Sequence, residues 1–211
     1  MNARISTART VAAVILTSLT AAMPAGAYPP AVGILARNRT CITCHVSNGP
    51  WGDEARTIID LLDAGTKASL RGADGAFTIE VPRGATRTVL TVIGRTKDDT
   101  GPAPRRNAWL YVDPTRIETA SLSKFAPGWD VNLPMSCRLT GDQLEGQEGA
   151  HLTVLPMTVR ATDAAAGAEL ELQVMLTGGE SVKGKPKEGM IGSYYERKVH
   201  LKVVEQEAAA R

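Results

Sequence analysis

The sequence predicts a mainly β protein, an antiparallel β-sandwich preceded by a short segment that carries one helix. Three observations predict it. Apolar and polar residues alternate with period two through most of the chain beyond residue 76, as in Phe77-Thr78-Ile79-Glu80-Val81. Gly and Pro clusters separate these runs: Gly101-Pro102-Ala103-Pro104, Pro127-Gly128 and Gly178-Gly179. Seven or eight such runs with turn signals between them fit two packed sheets, each with one wet face. The topology expected is immunoglobulin-like, although the Cys-Trp-Cys spacing of true immunoglobulin domains is absent.

The chain opens on a leader. Arg4 and Arg9 give a positive start, Val11 to Ala22 is apolar apart from Ser and Thr, and Ala25-Gly26-Ala27 supplies small residues for cleavage. This pattern predicts a secretory signal peptide over residues 1–27, cut after Ala27, and a periplasmic or otherwise exported product. Nothing later approaches eighteen consecutive apolar residues, so no membrane span is expected in the mature chain.

The whole sequence has 24 Lys and Arg against 22 Asp and Glu. Two of the arginines lie in the leader, which holds no acid, so the remainder is formally neutral. Nucleic acid is therefore not an expected partner. The two small basic clusters, Arg105-Arg106 and Lys183, Lys185 and Lys187, read as solvated loops.

Cys41-Ile42-Thr43-Cys44-His45 carries the chemistry. Two thiols three residues apart can reach the two vinyl groups on one edge of a porphyrin. The histidine that follows can offer an imidazole nitrogen to the iron. The motif is the attachment signature of a haem c, with Cys41 and Cys44 as the covalent links and His45 as the proximal ligand. A zinc cage lacks its second ligand pair, and a thioredoxin-like dithiol lacks its βαβ surroundings. Export fits this reading, because the attachment takes place outside the bacterial cytoplasm.

With Tyr28-Pro29 at the new N-terminus, the motif at residues 41–45, and Val46-Ser47-Asn48-Gly49-Pro50 after it, the segment from Tyr28 to Pro50 resembles cytochrome f. That family is a c-type cytochrome built mostly of β-sheet. The resemblance implies a second axial ligand from the α-amine of Tyr28. An α-amine has an ordinary pKa near 8, so it loses its proton far more readily than a lysine.

The remaining residues offer other ligands. No Met occurs between His45 and Met135, and no His between His45 and His151. Met135, in the turn-like Leu133-Pro134-Met135-Ser136, is the alternative distal ligand. Met157 alternates with core positions. Met175 falls on the face opposite Leu170, Leu172, Val174 and Leu176, where an exposed position is expected. Met190 lies in a Gly-rich loop. His151 and His200 run out of phase with their apolar neighbours and read as surface residues. Cys137 is the thiol left over, read as a small buried residue, with thiolate ligation of the iron as the alternative.

After the motif comes the one expected helix. Asp53 caps it, and Ala55, Ile58, Ile59, Leu61 and Leu62 supply apolar positions at helical spacing, with Gly65 as the stop. Trp51, just before it, lies either against the porphyrin or as a staple of the arm to the helix. Strands follow at Phe77 to Val81, Thr86 to Thr96, Ala108 to Asp113, Trp129 to Leu133, Leu152 to Thr162, Ala168 to Thr177 and Tyr194 to Val204. The organisation expected is leader 1–27, haem-binding arm and helix 28–72, sandwich 73–205 and tail 206–211.

Two function classes fit these residues. The expected one is a monohaem electron carrier whose partners are redox proteins. The alternative is a gas sensor or peroxidase-like enzyme with an open sixth position, or a haem subunit of a larger respiratory complex. A Ser-His-Asp set and a phosphate-cradling Gly loop are not identifiable.

Overall fold

The computed structural model describes residues 46–111, 126–133, 138–179 and 191–205. Ten strands make up the described fold: β1 (Val46–Ser47), β2 (Thr57–Asp63), β3 (Phe77–Pro82), β4 (Thr86–Arg95), β5 (Arg105–Tyr111), β6 (Trp129–Asn132), β7 (Arg138–Leu139), β8 (His151–Ala161), β9 (Ala168–Thr177) and β10 (Ile191–Val204). They form two sheets, as the alternation predicts. One runs β1-β10-β9-β5-β7, with β3 also on β10. The other runs β2-β4-β8-β6.

The sheets face each other across one apolar core. Strand β10 contributes Tyr195, Val199 and Leu201, and β9 contributes Leu170, Leu172, Val174 and Leu176. The opposite sheet contributes Ile59, Leu61, Val89, Ile93, Met157 and Val159. Period-two alternation puts each of these sets on one face of its strand. Met157 is fully buried there, as its phase predicts. A smaller cluster covers the outer side of the four-stranded sheet, formed by Leu62, Val92, Ala150 and Leu152 with Ile58 and Leu144 against them.

That second cluster explains the correction at residues 53–62. Asp53 does cap, accepting from the Ala55 amide at 3.0 Å, but it caps only a 3₁₀ turn over Glu54–Arg56. The chain then extends into β2, which pairs antiparallel with β4 from Thr57↔Arg95 to Asp63↔Val89. Ile59 and Leu61 face the main core, while Ile58 and Leu62 face the outer cluster. A strand with both faces covered presents apolar residues at nearly every position, and that spacing matches a helix as well as a strand. The β-branched run Thr57-Ile58-Ile59 favours the extended form. Trp51, Ile59 and Leu61 already pack into the main core.

Strand β10 is the longest, and it also breaks the antiparallel pattern. Its inner edge pairs antiparallel with β9 over Gly192 to Leu201. Its outer edge takes β1 at Ile191 and Gly192 and β3 at Val199 to Val204, both parallel.

The interior also holds two arginines. Arg106 was expected in a solvated loop, yet it is fully buried and donates across the sandwich to Thr91 Oγ1 at 3.0 Å. On β5 it shares the inward phase of Ala108 and Leu110, which its place in a basic pair conceals. Burial pushes its pKa down to about 10.

Candidate functional site

Tyr28, Cys41, Cys44 and His45 precede the first described residue, and Met135 and Cys137 fall within 134–137. All six lie outside the described residues, as do Met190 and the three lysines from Lys183 to Lys187. Described in full is the platform that the chain enters one residue after His45.

That entry is tied to the outer edge of β10. Val46 pairs with Ile191 and Ser47 with Gly192. The Gly49 amide donates to the Gly192 carbonyl at 2.7 Å, and Ser193 Oγ donates to the Gly49 carbonyl at 3.1 Å. The Tyr194 amide donates to Ser47 Oγ at 3.2 Å. A Cβ on Gly49 would stand 2.7 Å from the Gly192 backbone, so glycine permits this close approach.

Trp51 then drives into the main core at 2 % exposure, with its Nε1 donating to the Pro102 carbonyl at 2.7 Å. It is a staple, holding the arm to the sandwich and not to a helix. Its own carbonyl accepts from Arg95 Nη1 at 3.1 Å and from the Tyr195 hydroxyl. Arg95 Nη1 also donates to the Asp53 carbonyl at 2.9 Å and to Thr57 Oγ1. Arg95 is on the four-stranded sheet and Tyr195 on the six-stranded one, so both sheets grip the segment. Asp99 completes the clamp. Burial alone would raise its pKa, but hydrogen bonds from Arg95 and the Gly101 amide hold it below the usual carboxylate range.

The other sequence-derived ligand candidates are spread over the fold. Met157 is in the main core. His151 is half-buried at the start of β8, and His200 is half-buried on β10 with Nδ1 3.8 Å from a Glu169 oxygen. Met175 does lie on the outer face of β9, but it is 0 % exposed and not a surface residue. Alternation gives the face of a strand residue; it does not tell whether that face is covered. Among the described residues, no three His, Cys, Asp or Glu side chains gather as a metal site. None of their helices is long and apolar enough to cross a membrane.

The large apolar side chains exposed among the described residues are Val46 (51 %), Leu139 (53 %) and Ile191 (44 %). They lie in two adjacent rows at one end of the strands but not together: Val46 pairs with Ile191 at one edge of the six-stranded sheet, and Leu139 is on β7 at the opposite edge, at the far side of the row Ser47, Gly192, Thr177, Arg105, Leu139. This is the end at which β1 begins, next in the chain to His45.

No protein-family model matches the chain, and no curated protein does. Among solved structures, it is similar to PapD-like domain 7 of human CEP192, with TM-score 0.36 and 10 % identity, covering 75 % of this chain and 93 % of that one. It is also similar to a family 123 glycoside hydrolase from Clostridium perfringens, with TM-score 0.27 and 8 % identity, over 62 % of this chain and 23 % of that one. At these scores neither likeness bears on function.

Proposed function

We propose that the chain is an exported monohaem c-type cytochrome that passes single electrons between redox proteins outside the cytoplasm. The observation that carries this is the Cys41-Ile42-Thr43-Cys44-His45 motif behind a secretory leader. The donor set fits a haem c: two thiols at the spacing of the porphyrin vinyl groups and one imidazole. When bound, that group supplies a one-electron couple whose potential depends on axial ligands and burial.

The chain's own residues supply the rest. Cys41 and Cys44 would hold the porphyrin, and His45 would ligate its iron. Tyr28 through its α-amine and Met135 remain candidates for a second iron ligand. The anchored segment Val46 to Thr57 gives the haem-bearing arm a fixed point of departure. The exposed Val46 and Ile191, paired beside the motif, offer apolar surface that would shield a porphyrin edge from water.

Spectroscopy on protein matured in a host with a c-type biogenesis apparatus tests this. The expected result is a haem that survives denaturing electrophoresis and a six-coordinate, low-spin ferric spectrum. A high-spin ferric spectrum with rapid carbon monoxide binding on reduction overturns the electron-carrier reading in favour of a sensor or enzyme.

A further inference from the structure

We infer that Asn48 is a deamidation site, that the pairing of β1 with β10 keeps it unreacted in the folded chain, and that its conversion to isoaspartate unpairs β1. Asn48-Gly49 is the one Asn-Gly pair in the sequence. Such a pair carries its own chemistry. The backbone nitrogen of the second residue attacks the side-chain carbonyl carbon of the first. A C–N bond closes a succinimide ring, and ammonia leaves with the proton that the backbone amide gives up. Water then opens the ring at either carbonyl, giving aspartate or isoaspartate. Glycine in the second place speeds the attack, because no Cβ stands beside the attacking nitrogen. Asn48 is exposed, so water has access to the ring.

The fold holds the attacking nitrogen back. The Gly49 amide donates to the Gly192 carbonyl at 2.7 Å, which commits its proton to β10. On the other side of the residue, Ser193 Oγ donates to the Gly49 carbonyl at 3.1 Å. Gly49 lies so close to the Gly192 backbone that a Cβ would stand 2.7 Å from it, which leaves the residue little room to turn. One residue before Asn48, Ser47 Oγ accepts from the Tyr194 amide at 3.2 Å. Asn48 is therefore bracketed by held residues, and its cyclisation waits on a local opening of the edge. Strand β1 is two residues long, and short edge segments open at the low end of the free-energy range. Isoaspartate reroutes the main chain through the side-chain carbon and lengthens it by one atom between Ser47 and Gly49. The anchors on β10, the Gly192 carbonyl and the Tyr194 amide, keep their spacing, so the longer chain cannot meet both.

Peptide mapping by mass spectrometry, on the full mature protein held for days in mildly alkaline buffer, tests this. Protein unfolded in urea is expected to convert at residue 48 to a mixture of aspartate and isoaspartate, while the folded protein keeps Asn48 over the same time. An unfolded chain that keeps Asn48 overturns the site. A folded chain that converts at the unfolded rate overturns the protection. Ser47→Ala combined with Ser193→Ala removes both side-chain bonds at the edge, and neither residue belongs to an apolar cluster. Folded, this variant is expected to convert roughly tenfold faster than the wild type, the effect of losing two hydrogen bonds of ordinary net strength. A rate equal to the wild type's overturns the role given to the edge. In protein refolded after conversion, the isoaspartyl form is expected to lose hydrogen-exchange protection at the Gly49 and Tyr194 amides. Protection as in the wild type overturns the unpairing.

Discussion

Arg95 and Asp99 form an ion pair at 2.5 Å with side chains only 2 % and 9 % exposed. The same guanidinium donates to the carbonyls of Trp51 and Asp53. One buried cation therefore fixes the segment that follows the Cys41 to His45 motif, and Asp99 is the charge that makes its burial tolerable.

Asp99→Asn keeps the shape and removes the charge. Leaving Arg95 buried without its counter-ion is expected to cost about 3 kcal/mol. Urea denaturation measures it. A loss within about 0.5 kcal/mol, the range of ordinary surface substitutions, contradicts the clamp.

Acid is expected to act through Asp99 and through a second carboxylate, Asp63. Hydrogen bonds from the Thr66 amide and Arg87 hold Asp63 well below the usual carboxylate range, and Asp99 is also lowered. A carboxyl with a lowered folded pKa contributes stability that is complete above its unfolded value, near 4. That contribution is lost as pH falls through the folded value. Denaturation midpoints are expected to hold steady from pH 7 to about 5 and to fall below about 4. The fall should be shallower in Asp99→Asn, and an unchanged slope contradicts the assignment.

Gly94 lies inside β4 opposite Leu152. A Cβ there would stand 1.9 Å from the His151 carbonyl oxygen, which is backbone and has little room to yield. Gly94→Ala is expected to destabilise by about 3 kcal/mol or more. A neutral effect by thermal denaturation contradicts the close approach.

Trp51→Phe tests the staple. Losing the indole donor to Pro102 is expected to cost about 1–2 kcal/mol, while the haem absorption spectrum stays as in the wild type. A shifted spectrum at unchanged stability places Trp51 against the porphyrin instead.

The sandwich is legible in the sequence because most strands have one wet face. Phe77 to Val81 and Ala168 to Thr177 were readable from alternation alone, and the observed β3 and β9 follow them closely. The expected helix failed where both faces are covered: Ile58 and Leu62 serve one cluster, Ile59 and Leu61 the other. Arg106 and Met175 failed for a related reason. A residue's phase names its side of the sheet, but burial depends on what chain elsewhere covers that side. The two-residue strand β1 carries too little pattern to be seen, and its parallel pairing with β10 is fixed by contacts more than 140 residues away in sequence, as in Ser193 to Gly49. The Cys41 to His45 motif stands out in the sequence whatever the fold around it, because the covalent attachment proposed for it demands residue types at fixed spacing.

The central claim is the covalent porphyrin, and one intact-mass measurement on the purified mature protein, read beside its visible spectrum, tests it most directly. The expected result is the mass of a chain beginning at Tyr28 plus one haem, resistant to denaturation and acid extraction. A colourless protein at the mass of the bare polypeptide, with Cys41 and Cys44 free to react with a thiol reagent, contradicts it.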